Sequence, residues 1–179
     1  MSLHYEIRLS GAGGQGLILI GKILAEAAAI YDGKNATQSQ SYGPEARGGA
    51  SRSEVIISDE DIDYPKATNI DLLLAMTQEA ADKYASDVKE GGSIIVDSGF
   101  VNNIPKGNFK VYEYPITQTA EKVIGKKLVA NIIALGIIEE ISKIISEKAM
   151  ISAIRARVPK GTEEINIKAF NEGQKLSKK

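Results

Sequence analysis

Glycine dominates the residues whose spacing could do chemistry. Gly11-Ala12-Gly13-Gly14-Gln15-Gly16 stands between the alternating run Tyr5–Ser10 and the Ala- and Leu-rich run Leu17–Ala29. Glycines at 11, 13 and 16 remove the Cβ atoms that would obstruct a tight turn, an approaching phosphate and a close helix–strand contact. A helix starting at Leu17 would turn free N–H groups and a partial positive charge toward an anion. The chemistry is capture of a nucleotide-like anion by Gly11, Gly13, Gly14, Gln15 and Gly16. The same spacing also serves an α/β turn that binds nothing.

A second cluster is Tyr42-Gly43-Pro44-Glu45-Ala46-Arg47-Gly48-Gly49-Ala50-Ser51-Arg52. Its glycines and Pro44 exclude a regular helix or a central strand. Two readings stay open. Glu45 and Arg47 are solvated charges on a surface loop, or Gly48-Gly49 let the backbone approach a partner or an anion to which Arg47 and Arg52 bring charge.

The other reactive groups are few. Gly16 to Lys22 has the letters of a phosphate loop, but Ile23 stands where a hydroxyl is required, and the residues between read as helix. Asp59, Asp61 and Asp63 alternate like the start of a calcium loop, yet Tyr64 and Ile70 occupy the glycine and glutamate positions. His4 is the one histidine and there is no cysteine. Asp32 precedes the second strand rather than ending it, so the ribose-binding acid of a nicotinamide site is missing. No catalytic residue and no metal ligand set is expected, and the residues alone describe an α/β binding module.

The elements that must position these residues follow from periodicity. Strands are predicted at Tyr5–Ser10, Asn35–Gln40, Glu54–Ser58, Ile70–Met76, Ser93–Ser98 and Phe109–Glu113. The first helix should stop near Gly33, and Thr77 should cap a helix from Gln78 to Val88, before a turn at Gly91-Gly92. Asp97 is either a binding residue or the polar end of its strand. Helices are then predicted from Thr117 or Thr119 to Gly125, along the apolar stripe Leu128–Ile145, from Ser146 to Arg157, and from Glu163 onward. That stripe is wider than one sheet face needs; such a surface is usually core, and the alternative is that its surplus forms a subunit interface. The fold class is α/β: a three-layer α/β/α domain with a mostly parallel sheet, a Rossmann-like βαβ start and a helical C-terminal third, in one domain over residues 1–179.

Composition narrows the partners. A net charge of −1 gives no basic field for nucleic acid. The apolar run Leu128–Ile138 is far short of the ~18–20 residues of a membrane span, and Met1-Ser2-Leu3 shows no export signal. A cytoplasmic location is expected. With no cysteine, the chain offers no disulfide, thiol nucleophile or thiolate-held iron–sulfur cluster.

Four motifs in order resemble one family: Arg8–Gly16, Tyr42–Gly49, Asn131-Ile132-Ile133-Ala134-Leu135-Gly136 and Glu164–Phe170. They are similar to the γ subunit of the 2-oxoacid:ferredoxin oxidoreductases, over nearly the whole chain. Arg47-Gly48-Gly49-Ala50 is closer to the 2-oxoglutarate and branched-chain types than to the pyruvate type, and the 2-oxoglutarate type is favoured. The resemblance implies a subunit of an enzyme that oxidatively decarboxylates a 2-oxoacid with CoA and reduces ferredoxin. It implies α, β and ferredoxin-like partner subunits, and places thiamine diphosphate, magnesium and iron–sulfur clusters on or with those subunits. No cofactor is expected on this chain and its isolated form should be inactive. Tyr42, Gly43, Pro44, Glu45, Arg47, Gly48, Gly49 and Arg52 would form a loop facing the partners or CoA. The competing readings are a free-standing nucleotide-dependent oxidoreductase and a stand-alone nucleotide- or acyl-CoA-binding interaction module.

Overall fold

The computed structural model describes residues 2–41 and 50–178. In chain order its elements are β1 (His4–Gly11), α1 (Leu17–Glu26), β2 (Asn35–Gln40), β3 (Ser51–Ser58), β4 (Ile70–Ala75), α2 (Gln78–Tyr84), β5 (Val88–Asp97), β6 (Lys110–Tyr114), α3 (Ile116–Thr119), α4 (Ala130–Ser142), α5 (Glu147–Arg157) and α6 (Glu163–Ser177). The six strands form one sheet in the order β2-β3-β1-β4-β5-β6. β1, β4, β5 and β6 run parallel, whereas β3 is antiparallel to both β1 and β2. The sheet is mostly parallel, as expected, but its start is not a simple βαβ unit. β1 and β2 point the same way, and β3 lies between them.

The layers are unequal. Residues of α1, α4, α5 and α6 join Ile7, Leu9, Leu72, Leu74 and Ile95 in the larger core. On the opposite face Ala80, Ala81 and Tyr84 of α2 cover Ile56, Ile70, Leu73, Ile94 and Val96. The polar residues that alternate along β1, Glu6, Arg8 and Ser10, are all buried. Their partners explain how charge is tolerated there. Arg8 Nε donates to Glu54 Oε2 at 2.8 Å, its other end reaches Asp87, and its guanidinium lies 5.0 Å from the Tyr84 ring centre. Glu6 Oε1 accepts from the Thr68 amide at 2.7 Å, and Asp71 pairs with Lys89. Burying an ion costs several kcal/mol, so such groups occur paired.

Three expected boundaries shift. The helix capped by Thr77, whose Oγ1 accepts from Ala80 N at 3.2 Å, ends at Tyr84 rather than Val88. Val88 already pairs with Ile70 in the sheet, and that pairing overrides helix propensity. Gly91 and Gly92 therefore sit inside β5, where the register shifts between Ile70 and Leu72, and Gly91 takes φ 78°. Leu128 leaves the predicted stripe: it precedes α4 and is 80% exposed.

The breadth of the α4 stripe has an internal cause. Every residue from Ala130 to Glu139 is buried. A Cβ on Gly136 would stand 2.1 Å from the Phe170 carbonyl oxygen, and one on Gly173 would stand 2.0 Å from that of Ile133. α4 and α6 touch backbone to backbone, so α6 covers the apolar surplus and the stripe is core rather than a subunit interface.

Candidate functional site

The glycine turn closes on itself before it faces anything else. Gln15 Oε1 accepts from the Ala12 amide at 2.7 Å, so this side chain braces the turn from within. Gly14 and Gly16 take φ 84° and 73°, the left-handed region that glycine enters at no steric cost. A Cβ on Gly16 would stand 2.3 Å from Asn131 Nδ2, and that amide donates to Gly16 O at 3.1 Å. Asn131 of α4 thus holds the start of α1 across a long sequence separation. A Cβ on Gly13 meets no other atom within 4 Å, so this glycine answers no steric demand of the fold. Gly21 does: its Cβ would press on Ser53 Oγ at 2.5 Å, a close helix–strand contact.

β3 begins beside Gly11, so Ser51 and Arg52, the described end of the second motif, meet the glycine turn at the C-terminal edge of the parallel strands. Gly11 lies opposite Ser51, and Ser10 lies opposite Arg52. Ser51 Oγ donates to Gly11 O at 3.1 Å, and Ser10 Oγ to Ser51 O at 2.7 Å. Of the second motif, Tyr42, Gly43, Pro44, Glu45, Arg47, Gly48 and Gly49 lie outside the described residues. Arg52 is held but not consumed. Its Nε is 4.0 Å from Glu54 Oε1, its guanidinium is 5.8 Å from the Tyr84 ring centre, and a third of its side chain stays exposed.

The turn separates two hollows. One, of about 450 Å³, is lined by Gly13, Gly14, Gly16, Ser41, Ser51 and Arg52. The other, of about 530 Å³, is lined by Gly14, Met76, Thr77, Phe100, Lys127 and Leu128. Between them α1 begins with no side-chain cap and no acidic residue in its first turn, which leaves its positive end uncompensated. The arrangement can receive an anion on one side of the turn and an apolar group on the other. Sequence reasoning missed the second hollow because its walls come from separate segments, although Thr77 was placed correctly at the end of β4.

Two carboxylates, Asp97 and Asp32, have structural roles. Asp97 is fully buried; Oδ2 accepts from Thr117 N and Oγ1 at 3.0 and 2.6 Å, and Oδ1 accepts from Gly99 N at 3.1 Å. Asp32 receives the Ser146 amide and hydroxyl, both at 2.7 Å, and ties the end of the first helix to the start of α5.

Comparison with known proteins agrees with this framework. The model of the pyruvate ferredoxin/flavodoxin oxidoreductase family matches residues 6–176. The chain belongs to this family. It is 50% identical to the 2-oxoglutarate synthase subunit KorC of Methanocaldococcus jannaschii, over 99% of this chain and 96% of that protein. It superposes with a TM-score of 0.89 and 54% identity on the γ subunit of a keto/oxoacid ferredoxin oxidoreductase from Geobacter sulfurreducens, covering 97% of this chain and 98% of the other. A 2-oxoglutarate:ferredoxin oxidoreductase from Magnetococcus marinus, with 2-oxoglutarate, coenzyme A and succinyl-CoA bound, matches with a TM-score of 0.85 and 26% identity. There 98% of this chain covers 31% of the other, so the same fold is one part of a longer polypeptide.

Proposed function

We propose that this chain is the γ subunit of a 2-oxoglutarate:ferredoxin oxidoreductase. It supplies the complex with a docking and ligand-facing edge, while redox chemistry resides on other subunits. The observation that carries the reading is half-identity to a 2-oxoglutarate synthase subunit along almost the full length of both chains. The residue inventory supports the division of labour. A chain with no cysteine and one histidine has no thiolate to hold a cluster. Thiamine diphosphate, magnesium and the clusters then belong with the α, β and ferredoxin-like subunits, and so do the residues that select the 2-oxoacid.

The edge built from Gly11–Gly16 and the segment from Tyr42 to Arg52 faces those subunits and contacts CoA. A diphosphate suits the uncapped start of α1 and the partly exposed Arg52, with Arg47 as a second cation. The chain, tagged and recovered from its native cell, should carry α and β partners in stoichiometric amount. Alone it should not reduce a viologen dye with 2-oxoglutarate and CoA; activity of the pure chain would overturn the assignment. In the reassembled complex, Arg47→Ala or Arg52→Ala should weaken assembly or raise the KM for CoA by about 10- to 150-fold, equivalent to the ~1.5–3 kcal/mol of a charged hydrogen bond. Unchanged assembly and unchanged CoA dependence in both variants would make these arginines simple loop charges.

A further inference from the structure

The two outer edges of the sheet differ. β6 carries exposed Lys110 and Glu113, charges of the kind that discourage strand pairing. β2 is uncharged and free of proline, and its register with β3 is unbroken from Asn35 opposite Ser58 to Gln40 opposite Ser53. No strand among the described residues pairs with its other side. Alongside runs a groove of about 400 Å³ where Lys22, Glu26 and Ile30 overlook Ala36 and Gln38.

That groove is chemically unfinished. Lys22 makes no ion pair among the described residues. Glu26 accepts from Arg157 Nε at 3.1 Å through Oε1, but its Oε2 is buried with no donor. Thr37 Oγ1, on β2 itself, is likewise buried without a partner. Ile30 is 70% exposed at the end of the groove.

We infer that β2 pairs antiparallel with β2 of a second copy of this chain across a two-fold axis, joining two sheets into one. An antiparallel strand pair is its own complement under a two-fold rotation, so both edges are satisfied at once. The groove favours a copy over a foreign strand because it carries both signs on one helix face, one turn apart. The rotation turns each unpaired Lys22 amine toward the other copy's Glu26, whose Oε1 is shared so far only with Arg157 and stays partly exposed, and lays each Ile30 over the neighbouring groove. A foreign strand would complete the main chain and leave that charge pattern unanswered. This interface uses the side of the sheet, not the C-terminal edge proposed to face CoA, and it does not depend on that proposal.

The absence of cysteine makes the test clean. Ala36→Cys, Thr37→Cys, Gln38→Cys and Ser39→Cys are made singly in the full chain. Residues nearest the axis should face their own copy at a Cα separation of about 4.5–5.5 Å, within disulfide reach. At about 50 µM the wild type should sediment at twice its 19.2 kDa mass. One or two neighbouring positions should oxidise to a covalent dimer, whereas a control, Lys148→Cys on α5, should not. Lys22→Glu should raise the dimer dissociation constant by about tenfold or more with an unchanged circular dichroism spectrum. A wild type that stays monomeric overturns the inference. So does a dimer that no β2 cysteine captures, or a β2 cysteine that in the assembled complex bonds to a cysteine of another subunit instead of its own copy.

Discussion

At Gly16 a left-handed backbone and a neighbouring amide act on the same missing atom. Gly16→Ala must adopt φ 73° with a side chain and displace Asn131, so it should lose about 2–3 kcal/mol in urea unfolding. Gly13→Ala, with open space and no positive φ, should unfold within about 0.5 kcal/mol of wild type. A bulky residue at Gly13 should then block the edge in the assembled complex while the chain still folds. Tyr5 provides a pH test. Burial pushes its phenol up to about 12, with the negative charges of Asp71 and ionised Tyr112 adding to the effect. Because the folded value exceeds the unfolded one near 10, its contribution is complete below pH 10 and fades as pH rises toward 12. Tyr5→Phe should flatten that alkaline loss in denaturant titrations at successive pH values; an unaltered slope would assign it to other groups. At this scale the spacing located the turn and its crowded Gly11 and Gly16, but not the roles within it: Gly13 meets nothing, Gly14 takes φ 84°, and the close helix–strand contact falls to Gly21. Nor could the sequence reveal that Gln15 folds inward, since an amide reads the same whether it meets a ligand or its own backbone.

The pairing of α4 with α6 depends on two glycines from distant parts of the chain. Gly136→Ala or Gly173→Ala places a methyl group against a main-chain carbonyl, which cannot rotate away as a side chain can. Each should cost about 3 kcal/mol and lower the thermal midpoint, and the double variant should cost less than the sum, since both relieve the same contact. Helix positions were legible because their apolar residues recur every three to four places and their caps are local: Thr77, Ser146 and Gly125 all stand where expected. Which helix covers which was not, because periodicity gives the width of a stripe and not its occupant. The alternation along β1 marked a strand without telling what its polar face meets: Arg8 and Glu54 lie beneath α2, paired with each other.

For the whole molecule, family and fold class were readable from motif order: three of the four motifs fall on the first turn, α4 and α6, and the other lies outside the described residues. The position of β3 was not, since strand order depends on long-range pairing that leaves no periodic trace. That position has a consequence for biosynthesis. β1 leaves the ribosome well before its two neighbours, which begin only at Ser51 and Ile70. The ribbon bearing Ile7 and Leu9 must therefore wait, unpaired, for both banks of the slot it will fill. Closing such separated contacts is slow compared with local helix formation, and exposed strands meanwhile recruit chaperones or one another. Translation pauses between codons 51 and 75 should lengthen that wait and lower the yield of folded chain. The same pauses moved to the codons of α6 should have little effect, because by then β1 is enclosed.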